Sequence, residues 1–171
     1  MHETSPLLDP KGLDDLLLYR FSRVSATAGA MIVRLCEGRF GITWREWRMV
    51  LMLAEAGALQ PSALAAQVQL DRARTSRAIT SLLAKGLLVR TVQADDQRRA
   101  TVALTAAGLG LHDALFPLVA EINRQLLAPL QAAEVLVLDG LLQRIQQASE
   151  QVLAGAAWPK ADRRRGRGAA A

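Results

Sequence analysis

From Leu13 onward, apolar residues recur every three or four positions. Leu13, Leu17, Phe21, Val24, Ala28, Met31 and Leu35 form the first series, the period of a helix with one apolar stripe. It runs into "EGRFG", where Gly38 and Gly41 are stop signals. Thr43 with Glu46 three residues on has the spacing of a capping box. It predicts a second helix, "WREWRMVLMLAEAG", ending at Gly57. Pro61 suits the first turn of a short third helix, "PSALAAQV". After a turn at Gln69–Leu70, Asp71 is the N-cap candidate of a fourth, "DRARTSRAITSLLAKG". Its inner face is Thr75, Ile79, Leu82 and Leu83, and Gly86 closes it. The period then changes. "LLVRTV" and "ATVAL" are rich in β-branched residues and partly alternate, which predicts a two-stranded hairpin. From Thr105 the helical period returns in two stripes separated by Pro129. Leu111, Leu115, Leu118, Ile122 and Leu126 mark one; Val135, Leu138, Leu142, Ile145 and Val152 mark the other.

The expected fold class is therefore mainly α with a small β-hairpin. Residues 1–11, with Pro6 and Pro10, read as a flexible N-terminal arm, and 154–171 as a basic tail without periodicity, expected to be disordered. Hydrophobic residues make up 51% of the 171 positions but aromatics only 4%, a balance suited to helices rather than a β-sandwich. The longest apolar runs are broken by acids and fall short of a membrane span. The N-terminus lacks the basic start and apolar stretch of a signal peptide. The lone Cys36 excludes an internal disulfide framework and fits a reducing, cytoplasmic location. No nucleophile–base pair, phosphate loop or metal cluster is visible, and His2 and His112 are too few for a metal centre. An enzyme is not expected, nor is a cofactor.

Charge localises the interest. The net charge is +5, but residues 1–70 balance and 100–159 are acidic. The excess sits in the tail and in residues 71–99, where seven basic side chains face three acidic ones. A polyanion partner would meet one or both segments.

Short helix, tight turn, helix and hairpin is the order of a winged helix-turn-helix. The second helix of such a pair can lie in the major groove with its N-terminal residues at the base edges. That end carries Arg72, Arg74, Thr75, Ser76 and Arg77. Arginine can bond guanine bidentately, and hydroxyls serve bases or phosphates. Three arginines at a helix start oppose the helix dipole, which makes sense if phosphates neutralise them.

Three stretches are similar to the MarR family of transcriptional regulators: "GITWREWRMVLML", "SALAAQVQLDRARTSRAITSLLAKGLLVR" and "DDQRRATVALTAAG". The last resembles the family's wing signature, an Asp–x–Arg followed by Leu–Thr–x–x–Gly, here Asp96, Arg98, Leu104, Thr105 and Gly108. The resemblance spans about Leu13 to Val152. It implies an interleaved homodimer with a helical dimerisation region, 12–40 and 105–153, and a winged DNA-binding lobe, 43–104. It also implies a repressor that binds a pseudo-palindromic stretch of double-stranded DNA and is released by a small aromatic, anionic ligand.

In this reading Arg98 enters the minor groove, where narrow A·T-rich geometry concentrates negative potential. Asp96 pre-orients it through charge-assisted bonds, and Arg99 points elsewhere, toward phosphate. Asp95 has no assigned role. The family's effector pocket draws on the first two long helices and the helix after the wing. Those segments offer Tyr19, Arg20, Arg23, Trp44, Arg45, Trp47, Arg48 and His112. Arg20, Arg23 and Trp47 are the leading ligand-binding candidates, with Tyr19 and Trp44 behind them, and the nearest functional class is regulation of aromatic or N-heterocyclic acid catabolism. Two alternatives stand beside this: a winged helix that binds protein, and a redox-sensing regulator acting through Cys36.

Overall fold

The computed structural model describes residues 5–93 and 96–155; at 93 and 96–99 it describes the backbone alone. Six helices and one hairpin follow each other among the described residues: α1 (Leu17–Arg39), α2 (Trp44–Ala56), α3 (Pro61–Gln67), α4 (Arg72–Ala84), β1 (Leu88–Gln93), β2 (Asp96–Leu104), α5 (Ala106–Leu127) and α6 (Ala132–Gly155). The element types are those the hydrophobic period predicts. Two compact units divide the chain, Met1–Leu126 and Leu127–Ala171.

Local chemistry sets the ends. The first helix begins at Leu17 rather than Leu13, because Leu16 is extended (φ −77°, ψ 124°). A single 3-10 turn, Leu13–Asp15, precedes it. There the Asp15 carboxylate accepts the backbone N–H of Lys11 and Gly12 at 3.0 and 3.1 Å. At the far end Phe40 and Ile42 both donate to the Cys36 carbonyl at 3.2 Å. That reversal needs the left-handed Gly41 (φ 63°), the position glycine fills best.

The predicted capping box of α2 is present: Glu46 N–H donates to Thr43 Oγ1 at 3.2 Å, and Thr43 N–H to Glu46 Oε2 at 2.6 Å. Pro61 opens α3. The turn into α4 places Gln69 at φ 53°, a left-handed residue that brings Leu70 N–H to the Ala65 carbonyl at 3.1 Å.

The core of the first unit joins Trp47, Val50 and Leu53 of α2, Leu64 of α3, Ile79 and Leu82 of α4, Leu88 and Val102 of the hairpin, and Leu115 of α5. The strands pair antiparallel from Leu88↔Leu104 to Thr91↔Thr101, with a bulge between Thr91 and Gln93. A single bridge adds Leu59 to β2, through Leu59 N–H to the Val102 carbonyl (3.0 Å) and its reciprocal (2.8 Å).

The start of α5 is locked to the end of α4. Thr105 Oγ1 donates to the Gly86 carbonyl at 2.7 Å and accepts Gly108 N–H at 3.1 Å, while Thr105 N–H reaches the Leu87 carbonyl at 3.1 Å. A Cβ on Gly108 would lie 2.2 Å from that Leu87 oxygen. The Leu–Thr–x–x–Gly signature is thus a helix cap and a close backbone approach.

The apolar stripe of α1 is not buried within the chain. Leu18, Phe21, Val24 and Met31 are exposed, and Cys36 is that helix's buried residue. In the second unit α6 buries no residue and exposes Leu136, Val137 and Leu153.

Candidate nucleic-acid interface

Helix α4 has one face in the core and the other in water. Thr75, Ala78, Ile79 and Leu82 are buried. Arg72, Arg74, Ser76 and Arg77 are exposed. Asp71 caps the helix, accepting Arg74 N–H at 2.8 Å, and pairs with Arg74 Nε at 3.3 Å. This carboxylate offsets part of the unfavourable meeting of arginines with the helix N-terminus. The Arg77 Nε donates to the Ala73 carbonyl at 3.3 Å, which lays its stem along the helix.

Thr75 does not share that outward face. It is 2% exposed, and its hydroxyl donates to the Asp71 carbonyl at 3.0 Å. The sequence places it both on the inner face and among the DNA contacts; its burial supports the first role, although it still lines the floor of the groove beside α4.

A groove of about 430 Å³ runs along one flank of α4, lined by Ser62 of α3, Arg72, Thr75, Ser76 and Thr80 of α4, and Arg90 of β1. Arg90 and Ser62 carry no signal in the sequence beyond their polarity. The side chains of Asp96, Arg98 and Arg99, assigned to the wing tip, lie outside the described residues, as do Asp95 and the basic segment from 156 onward.

The far end of α4 is held by a buried ion pair. Lys85 Nζ donates to Glu46 Oε1 and Oε2 at 3.0 and 2.9 Å and to the Gly41 carbonyl at 2.9 Å. Burial alone would raise the Glu46 carboxyl. Hydrogen bonds from Ser81, the Thr43 backbone and Lys85, with the Lys85 charge, outweigh it and hold the group below its ordinary value. Glu46 was legible as a cap; its partner 39 residues away was not.

The effector candidates do not converge on one cavity. Arg20 and Arg23 line a cavity of about 580 Å³ with Val24, Thr27, Met31 and Leu126. Both are tied to acids: Arg20 pairs with the Asp15 carboxylate at 3.8 Å, its Nε also donating to the Asp14 backbone carbonyl at 2.5 Å, and Arg23 pairs with the Asp14 carboxylate at 2.9 Å. Trp44 lines a different groove, on the other side of α1 with Arg34 and Val33. Tyr19 is half-buried and lines neither.

Trp47 is fully buried. It stacks on His112 at 6.0 Å between ring centroids, and His112 on Phe116 at 5.4 Å. Its indole N–H has no acceptor among the described residues. Arg48 ties α2 to the end of α3, donating to the Val68 carbonyl at 2.5 Å. Cys36 is fully buried, and desolvation, with the nearby Glu37 charge, pushes its thiol up to about 11. A redox-sensing cysteine needs exposure and thiolate character, and this one has neither.

Comparisons with known proteins agree with this architecture. Residues 40–99 match the profile of the MarR family. The chain is 38% identical over 72 residues to the HTH-type transcriptional regulator FarR of Neisseria gonorrhoeae, which covers 42% of this chain and about half (49%) of that protein. It is 29% identical over 105 residues to the homoprotocatechuate degradative operon repressor of Escherichia coli, 61% of this chain and 71% of that one. Among solved structures, a probable transcriptional regulator from Pseudomonas aeruginosa superposes with a TM-score of 0.66 at 30% identity, over 78% of this chain and 99% of its own.

Proposed function

The chain belongs to the MarR family of transcriptional regulators, and on that premise we propose that it is a homodimeric, DNA-binding repressor. One α4 from each protomer enters the major groove of a pseudo-palindromic operator, with half-sites about one helical turn apart. The observation that carries this is the outward face of α4. Arg72, Arg74, Ser76 and Arg77 project from a capped helix whose other face is fixed in the core and followed by a hairpin. Arg98 at the hairpin tip reads the minor groove, with Asp96 and Arg99 beside it, as the wing signature implies.

The dimer reading is supported by the exposed apolar residues of α1 and α6, which in a lone chain face water. An exposed apolar helix face on either unit marks an interaction site, and a two-fold pair is the commonest solution. A protein-binding winged helix would not need arginines at both the helix and the wing.

The effector is a small aromatic carboxylate. The named role of the Escherichia relative, in degradation of homoprotocatechuate, favours that class. The cavity beside Arg20 and Arg23 supplies apolar walls and two guanidiniums. A ligand carboxylate would exchange for Asp14, whose pair with Arg23 is exposed and costs little to break. Trp47, sealed in the core, and Trp44, in another groove, are not part of that cavity.

A mobility-shift assay on the DNA upstream of the protein's own reading frame, repeated with a panel of aromatic acids, tests operator and effector together. A retarded band that one acid abolishes is the expected result. Affinity that barely changes with salt argues instead for a protein partner.

A further inference from the structure

We propose that Arg45, on α2 rather than on the helix-turn-helix pair, is a DNA-backbone contact that closes a phosphate-binding cleft with Arg74 and Arg77. The inference rests on the DNA-binding reading above and adds a residue, and a second wall, that the sequence had grouped with the effector candidates.

The helical period of α4 sorts its outer residues. Ala73, Arg77 and Thr80 form the crest opposite the buried face. Arg72 and Ser76 lie on one flank, toward α3 and β1. Arg74 lies on the other, toward the start of α2. There a polar cleft of about 410 Å³ is lined by Thr43, Arg45, Arg74, Arg77 and Ser81, with the Glu46 carboxylate also in its wall. A helix seated in the roughly 12 Å wide major groove has a phosphate strand on each side. Arg72 faces one wall; the cleft with Arg45 faces the other.

Electrostatics select the occupant. Glu46 lines the cleft and Asp71 pairs with Arg74 beside it, and both carboxylates are engaged. Glu46 is buried against Lys85, and Asp71 caps α4 and pairs with Arg74. Arg45 and Arg77 have no carboxylate partner among the described residues, so the cleft is cationic and hydroxyl-rimmed. Arg45 also sits in the first turn of α2, where a cation opposes the helix dipole. Its charge there does not serve the fold. A phosphodiester oxygen between the three guanidiniums, with the Thr43 hydroxyl as a further donor, fits the charge and the donor set.

The test compares full-length wild type, Arg45→Gln and Arg45→Lys by fluorescence anisotropy on two probes, a short random-sequence duplex and the chain's own upstream DNA. Affinity is measured over a salt range of about 50 to 200 mM. One lost phosphate contact per protomer lowers the slope of log K against log salt by about 0.9, or about 1.8 for a dimer. The advantage of wild type over Arg45→Gln then shrinks about 12-fold across that range. The loss should be equal on both probes, because a phosphate contact carries no sequence information. Arg45→Lys should keep most of the slope, and the melting temperature of Arg45→Gln should be unchanged or higher. Arg144→Gln on α6 removes the same charge elsewhere and should leave the slope intact. An Arg45→Gln slope equal to wild type, or a drop matched by Arg144→Gln, overturns the assignment alone. A wild-type slope near zero removes the DNA-binding reading and Arg45 with it.

Discussion

Replacing Lys85 by methionine keeps most of the aliphatic stem and removes the ammonium that joins α4 to α2. Three hydrogen bonds go with it, two to the Glu46 carboxylate and one to the Gly41 carbonyl. Glu46 is 2% exposed, whereas the Lys85 side chain is 35% exposed. Truncating one partner of a buried pair costs about 3–5 kcal/mol. Water reaches the Lys85 side, and Ser81 and Thr43 still bond the carboxylate. The expected loss is therefore about 1.5–3 kcal/mol, the range of hydrogen bonds to a charged group. In a chain of this size each kcal/mol corresponds to about 2–4 °C of Tm.

The pH dependence separates this mechanism from simple packing loss. The folded Glu46 carboxyl lies below its ordinary value of 4.5. Its contribution is full above that value and is lost as pH falls through the lower, folded-state value. Lys85→Met lacks the Lys85 share of that contribution, so its deficit against wild type should be largest near neutrality and should contract in acid. Urea unfolding of both proteins at neutral pH and at the acid end of the folded range, well below 4.5, measures the two gaps. A deficit that is the same at both pH values would refute the ion-pair account, as would a neutral-pH deficit below about 0.5 kcal/mol, the scale of an ordinary surface change.

Three further outcomes follow from the same geometry. Gly108→Ala drives a Cβ to 2.2 Å from the Leu87 carbonyl oxygen and should cost about 1–3 kcal/mol, as overpacking does; an unchanged Tm would mean that α5 can shift freely. Thr75→Val removes the bond to Asp71 and should lower stability by about 1 kcal/mol while leaving DNA affinity alone, so a selective loss of binding in a gel shift would return Thr75 to the interface. Arg98→Ala, at the wing tip, should weaken operator binding about tenfold or more, within the ~1–3 kcal/mol of one base-reading arginine, without lowering Tm; undiminished binding would end its assignment to the groove.

How much was legible in the sequence depends on the range of the interaction. The capping box of Thr43 and Glu46, Pro61 at a helix start, Asp71 as a cap and Gly41, Gly57 and Gly86 as stops all act within about one turn of chain. Each could be read from neighbouring residue types. The start of α1 was misplaced at Leu13 because an apolar period does not report backbone angles, and Leu16 is extended. The Leu59 bridge to Val102 was invisible because one residue has no period.

By itself, then, the sequence determined the kinds of element, their order and most of their ends, because caps, turns and stripes are short-range physics. Tertiary structure decided which of the polar residues meet. It turned Thr75 inward, set Glu46 against Lys85, parted Trp44 and Trp47 from Arg20 and Arg23, and brought Arg45 to the flank of α4. Those juxtapositions depend on the packing angle between helices and on which side of each helix the core claims, and neither is encoded in the spacing of residues along one strand of chain.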